Sequence, residues 1–232
     1  NWDGLADATS SIQMQKGLSA QNLATPSIGG SMNVITDPSS QERRGSFKQE
    51  VGAWGFLKTT MSFHSGLMAN DKLALSGTLV RKTGEGYYAG TWTDAYAYYF
   101  DASYNINDAH RLQFYALGAP QRHGQNLYRQ NIAVYDTEFA KSLDGYDESA
   151  LVENGGEFVE AGRDFNQNVS NISEESQAIL DAAGGQHWQM YSIRDGVDRH
   201  ESGTLAEREN FFHKPQVALN HYWTINEDMN LI

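Results

Sequence analysis

The chain has 232 residues, 40% hydrophobic, 12% aromatic and 20% charged, and its 17 basic against 29 acidic side chains leave a formal net charge of -12. That balance excludes a nucleic-acid binder, which needs a basic patch, and the absence of cysteine excludes a disulfide framework or a thiolate metal site. No stretch approaches the roughly 18 consecutive apolar residues of a membrane helix, so strands are the only means by which this chain would cross a bilayer.

Asn1-Trp2-Asp3-Gly4 is neither a signal peptide nor a start with Met, and Met229-Asn230-Leu231-Ile232 stops inside what reads as a new strand. The sequence is therefore expected to be an internal piece of a longer protein. Ile12-Gln13-Met14-Gln15-Lys16-Gly17 alternates apolar and polar residues as a strand does. A loop from Asn22 to Ser27, turned at Pro26, leads to a second strand, Ser27-Ile28-Gly29-Gly30-Ser31-Met32-Asn33-Val34-Ile35-Thr36, whose glycine pair permits close backbone approach. Residues 37–44 are polar, contain Pro38 and paired serines, and read as a linker.

From Gly45 the chain falls into segments of about 10 to 12 residues, the length of a tilted membrane strand. The first sets Phe47, Gln49 and Val51 against Lys48 and Glu50. The second sets Leu57, Thr59, Met61 and Phe63 against Lys58, Thr60, Ser62 and His64, and Asn70-Asp71 then predicts a tight turn. The third sets Leu73, Leu75, Gly77 and Leu79 against Ala74, Ser76 and Thr78. The fourth is the cleanest, with Tyr96, Tyr98, Phe100, Ala102, Tyr104 and Ile106 opposed to Ala97, Tyr99, Asp101, Ser103 and Asn105. After the turn Asn107-Asp108, a fifth strand begins at Arg111 and carries Leu112, Phe114 and Ala116 on one face.

Alternation then stops for some ninety residues, about 118–210, a length that counts against a compact soluble domain. Within it, Ser173 as cap, Glu174 and Glu175 in the first turn and Gly184-Gly185 as stop predict a short helix. A sixth strand is expected from Phe211 to about Trp223, entered late or bulged at Pro215, followed by the turn Asn226-Glu227-Asp228 and a seventh strand. The short turns at Asn70-Asp71, Asn107-Asp108 and Asn226-Glu227-Asp228 thus alternate with long loops at Gly84 to Asp94 and about 118–210, with Trp54-Gly55-Phe56 a short exception, as in outer-membrane barrels.

The two N-terminal runs resemble the C-terminal end of the plug domain of TonB-dependent outer-membrane receptors, in which an apolar-x-apolar-x-Lys/Arg-Gly strand precedes an Ile-Gly-Gly-x-apolar-Asn-apolar-apolar-Thr strand. Ile28, Gly29, Gly30, Asn33 and Thr36 carry that signature. Leu112 to His123 and Phe211 to Trp223 are similar to segments of such receptors from Bacteroidota-like bacteria. The resemblance implies an all-β fold: the C-terminal part of a plug (1–36), a linker (37–44), and then about six to seven strands of a 22-stranded transmembrane antiparallel β-barrel (45–232) whose long loop at about 118–210 is extracellular. It also implies residence in the bacterial outer membrane and active import of a bulky scarce ligand: a ferric siderophore, a corrinoid or an oligosaccharide. The implied partners are the TonB–ExbB–ExbD energy-coupling complex, outer-membrane lipid, the small-molecule or glycan ligand and a surface lipoprotein. A passive porin-type barrel and a soluble β-rich carbohydrate-binding module are the rival readings; the porin would lack the plug signature, and the module would extract without detergent.

No catalytic residue, metal or cofactor is assigned. The spacing of His187, His200 and His213 matches no ligand set, Glu174-Glu175 and Asp144 with Asp147 read as solvated loop acids, and Gly84-Glu85-Gly86 lacks the lysine and helix of a phosphate loop. Tyr87, Tyr88 and Trp92 stand at a loop where they would either stack on a ligand or form an interfacial girdle. Arg122 and His123, just beyond the fifth strand, would either meet an anionic ligand or anchor the loop.

Overall fold

The computed structural model describes residues 11–16, 30–127, 129–151, 160–182, 204–206, 208–226 and 229–231. Ile28 and Gly29 of the expected signature, His187, His200, the Glu227-Asp228 turn and parts of the long segment lie outside the described residues. Among the described residues the chain is mostly antiparallel strand with few helices. Its strands are β1 (Ser11–Lys16), β2 (Gly30–Ile35), β3 (Arg44–Val51), β4 (Leu57–His64), β5 (Leu73–Gly84), β6 (Thr93–Asn107), β7 (His110–Gly118), β8 (Gln121–Gly124), β9 (Val169–Asn171), β10 (Thr204–Ala206), β11 (Glu209–Phe212), β12 (Gln216–Asn226) and β13 (Met229–Leu231). Helices α1 (Thr137–Lys141) and α2 (Glu174–Ala182) lie in the long segment, α2 where the serine cap predicts it, with Ser173 Oγ accepting from Ser176 N at 3.2 Å.

β1 and β2 pair antiparallel from Ser11↔Ile35 to Lys16↔Gly30, which places Gly30 and Asn33 in the second strand of the N-terminal hairpin. The main sheet runs in the order β13-β12-β7-β6-β5-β4-β3, a meander in which each strand pairs with its chain neighbour except where β7 and β12 meet across the long segment. At one end the connections are short. Met68 pairs with Leu73 around Ala69, Asn70 and Asp71, all with positive φ, and Asn107 Oδ1 caps the next turn by accepting from Ala109 N and His110 N at 3.0 Å each. At the other end lie the loops, short at Trp54-Gly55 and longer between β5 and β6 and between β8 and β11.

Of the two outcomes expected at Pro215, a late entry or a bulge, the structure takes the first, since β12 begins at Gln216. Leu117 pairs with Gln216 before the break and Gln121 with Phe212 after it, so each strand skips three residues and no bulge is inserted. Pro120 and Pro215 both lack an N–H, and the ladder loses bonds there without losing register. The β6 side holds through the same gap, with Tyr96 N donating to Pro120 O at 2.8 Å. β7 with β8, and β11 with β12, are therefore two long strands.

Register sorts the side chains into two faces. Rows such as His64↔Ser76↔Asp101 and Thr60↔Val80↔Ala97 lie on one, and rows such as Phe63↔Gly77↔Phe100 and Met61↔Leu79↔Tyr98 on the other. The polar face is the buried one: Thr60, His64, Ser76, Thr78, Asp101, Ser103 and Gln113 are all at least nine-tenths covered. The apolar face is open, with Leu79 61%, Met61 53% and Leu219 68% exposed. This is the reverse of a water-soluble sheet, which turns its apolar face to a core.

Candidate functional site

Two places in this architecture combine polar groups with shape. The first is where residues 36–40 rest on the polar face. Asp37 caps a 3-10 turn over Pro38–Ser40, its carboxylate accepting from Ser39 N at 3.0 Å, and the buried Pro38 ring belongs to a turn packed against β5 and β6. Beneath it, Tyr99 donates its hydroxyl to Asp101 Oδ2 at 2.7 Å. Gln113 Nε2 donates to the same carboxylate at 3.0 Å and to Thr36 O at 3.0 Å, and Tyr222 donates to Gln113 Oε1 at 3.1 Å. The Thr36 side chain also bonds Tyr99 and Asp101, and Arg111 pairs with Asp37 at 3.7 Å. The last residue of the expected plug signature is thus tied to a buried polar network contributed by β6, β7 and β12.

The second place is the loop end. Tyr87 and Tyr88 stand at right angles, with ring centroids 5.2 Å apart; Trp54 packs edge-on to Tyr87 at 5.5 Å and Tyr135 against Tyr88 at 6.1 Å. Together with Ile132, Asp136, Phe139 and Arg163 the tyrosines line a cavity of about 320 Å³. Asp136 organises its rim: Oδ1 caps α1 by accepting from Phe139 N at 2.9 Å, and Oδ2 accepts from Arg163 through both Nε and Nη2. The Arg163 guanidinium, with the α1 amide, holds the Asp136 carboxyl below its usual range.

The long segment is docked by side-chain amides. The buried Asn166 donates to Ala89 O at 2.7 Å and to Gln125 O at 3.1 Å, while Asn168 Oδ1 accepts from Leu127 N at 3.0 Å. Gly90, with φ of 66°, lies so close to Val169 that a side chain there would strike it. Larger hollows, of about 1100 and 610 Å³, lie at the turn end, between hairpin turns and the incoming linker or β12.

Of the residues singled out by sequence, Tyr87 and Tyr88 are exposed and line the cavity. Trp92 and Arg122 are buried. Arg122 lies 5.2 Å from the Trp92 ring centre and pairs with Glu209 at 3.0 Å, an anchoring arrangement between β8 and β11. His123 is half-buried on the face of Thr93 and Asn210, its register partners. Ile132, Tyr135, Asp136, Phe139, Arg163 and Asn166 escaped sequence reading, because they carry no local periodicity and meet only through the folded loop.

No family model matches this sequence, and no curated protein does. Similar solved chains include the ferric-catecholate import receptor Fiu from E. coli K12 in its open form, 16% identical with a TM-score of 0.48 over 67% of this chain and 23% of that one. The ferripyoverdine receptor of the outer membrane of Pseudomonas aeruginosa, bound to ferripyoverdine, is 14% identical with a TM-score of 0.43 over 48% of this chain and 15% of its own. The chain spans less than a quarter of the length of either.

Proposed function

We propose that this chain is the end of the plug and the first strands of the barrel of a TonB-dependent outer-membrane receptor, which imports a bulky, scarce ligand using energy from the TonB–ExbB–ExbD complex. One observation carries the reading: the exposed face is apolar, and the covered face is polar and holds the end of the N-terminal hairpin. Lipid solvates the first face; water and the plug occupy the second.

The dimensions agree. The apolar face of β6 runs from Tyr96 to Ile106. Ten residue steps at about 3.3 Å, tilted by about 40°, give a band about 25 Å tall. Charge marks its upper limit on the same face. Arg81 pairs with Asp94 at 2.5 Å, register sets Asp94 opposite Arg122, and Arg122 pairs with Glu209. At the lower limit His110 stacks with Trp223 at 5.5 Å and with His221 at 5.2 Å, an aromatic group suited to the second interface. The loop end is then external and the turn end periplasmic, so the tyrosine cavity faces arriving ligand.

The test is conductance together with uptake. In planar bilayers the full-length protein is expected to stay closed, because the plug fills the lumen, and cells carrying it should accumulate ligand only with TonB present. A steady large conductance without energy input would instead make it a passive porin.

A further inference from the structure

The loop-end cavity has a charge and a shape that select among ligands, and this inference rests on the import reading just given. Its walls are the rings of Tyr87, Tyr88, Tyr135 and Phe139, of which Tyr87 and Phe139 are 44% and 50% exposed. Exposed aromatic surface gathered in a concavity marks a binding site more often than isolated exposed rings do. Tyr87 and Tyr88 meet at an interplanar angle of 82°, so the site presents a corner of two rings and not a flat slot between parallel faces. A corner accepts a puckered ring with C–H bonds on one side and hydroxyls around its edge; an extended planar aromatic would stack on one wall only.

Charge points the same way. Arg163 and Asp136 neutralise each other on the rim, and Glu160, which accepts from Thr137 N at 2.9 Å, adds negative charge beside them. Glu138 on α1 adds more, against Lys141. An anionic ligand would meet a neutral-to-acidic rim in a chain already at -12. A neutral polyol meets the complementary groups it needs: carboxylate oxygens that accept from hydroxyls and guanidinium N–H groups that donate to them. The walls are also fixed in advance. Asn166 docks the segment carrying Arg163 onto the β5–β6 loop at Ala89 O, Asn168 ties it to Leu127 just beyond β8, and Asp136 caps the helix carrying Phe139. A ligand therefore has little ordering cost to meet.

We propose that the cavity of Tyr87, Tyr88, Tyr135, Phe139, Asp136 and Arg163 binds a single neutral hexose ring of an oligosaccharide, the ring face on the tyrosine corner and its hydroxyls on the Asp136–Arg163 pair.

The experiment titrates the purified full-length protein, in a detergent without sugar headgroups, with four neutral hexaoses (maltohexaose, cellohexaose, mannohexaose and galactohexaose) and with a ferric tris-catecholate, following intrinsic fluorescence. At least one hexaose should bind, and Tyr88→Ala and Arg163→Gln should each weaken it at least tenfold at an unchanged unfolding midpoint. Phe139→Ser, at an exposed helix position, should weaken it about threefold and serves as a second variant. Binding of no hexaose, binding untouched by all three variants, or tris-catecholate binding lost in the same variants would each overturn the proposal. The import reading is tested separately by uptake with and without TonB: uptake that needs TonB without hexaose binding sinks the sugar site alone, and hexaose binding without TonB dependence sinks the import reading alone.

Discussion

Asp101 shows at the scale of one side chain how the N-terminal hairpin is joined to the sheet. It is 1% exposed, so its carboxylate depends on Tyr99, Gln113 and Thr36 for the hydrogen bonds that water would otherwise supply. Gln113→Leu removes the donor shared by Asp101 and Thr36 and strands the Tyr222 hydroxyl as well. We expect a loss of about 2 to 3 kcal/mol in guanidinium unfolding of the full-length protein, with faster amide exchange at residues 39–41. Tyr99→Phe removes the hydroxyl contacts to Asp101 and Thr36 but leaves Gln113 bridging the two, and should cost about 1 kcal/mol, so equal effects of the two substitutions would contradict a network centred on Gln113. Asp136 makes the corresponding case at the loop end. Its folded-state pKa lies below the ordinary 3.8, so its contribution to docking α1 is present above that value and is lost as pH falls through the depressed one. The protection factors of amides 137–141, their exchange rates relative to the intrinsic rate at each pH, should stay flat from about pH 5 to pH 8 and fall only in stronger acid. Asp136→Asn keeps the cap, loses the ion pair and should abolish that acid step.

At the scale of elements, the two long strands that meet through β7–β8 and β11–β12 hold their register across two prolines because neighbours cover the gap. Gly118 sits opposite Pro215, and the space a side chain would need is filled by the Tyr98 hydroxyl and the His213 ring, themselves bonded at 3.2 Å. Gly118→Val should separate that pair and cost about 1 to 2 kcal/mol, and Tyr98→Phe in the same chain should return part of the loss by deleting the nearest of the three atoms struck. The long strands were legible because alternation survives in residues such as Tyr96 to Ile106 and Leu57 to Phe63, where one face must be apolar and the other polar. The turns at Asn70-Asp71 and Asn107-Asp108 were legible because left-handed backbone and side-chain capping need those residue types. β8 was not, since Gln121-Arg122-His123-Gly124 carries no apolar alternation and its partner β11 lies some eighty residues downstream. The same reason hid the cavity: Asp136 and Arg163 are 27 positions apart and share no repeat. Sequence drew attention to Trp92 and Arg122 for their chemistry, but burial decides what such groups can touch, and burial depends on chain that returns from β11.

Across the whole molecule the inverted polarity makes a claim about solvent that substitution can decide. Leu219 is 68% exposed and shares a register row with Phe114, Ala102 and Leu75, midway between the Arg81–Asp94 pair and the His110–Trp223 stack. If water bathed this face, Leu219→Arg would replace an exposed apolar residue with a soluble one, and its effect would stay within about 0.5 kcal/mol. If hydrocarbon bathes it, the guanidinium stands near the middle of the bilayer and costs about 2 to 4 kcal/mol. We expect the larger figure when the full-length protein is folded reversibly into phospholipid vesicles. The cost should shrink toward zero for Arg at position 225, near the lower interface, where the side chain reaches water. Depth dependence is the decisive part, because a soluble sheet has no axis along which the penalty of a charge would rise to a maximum and fall again, whereas a wall about 25 Å tall between two aqueous phases must.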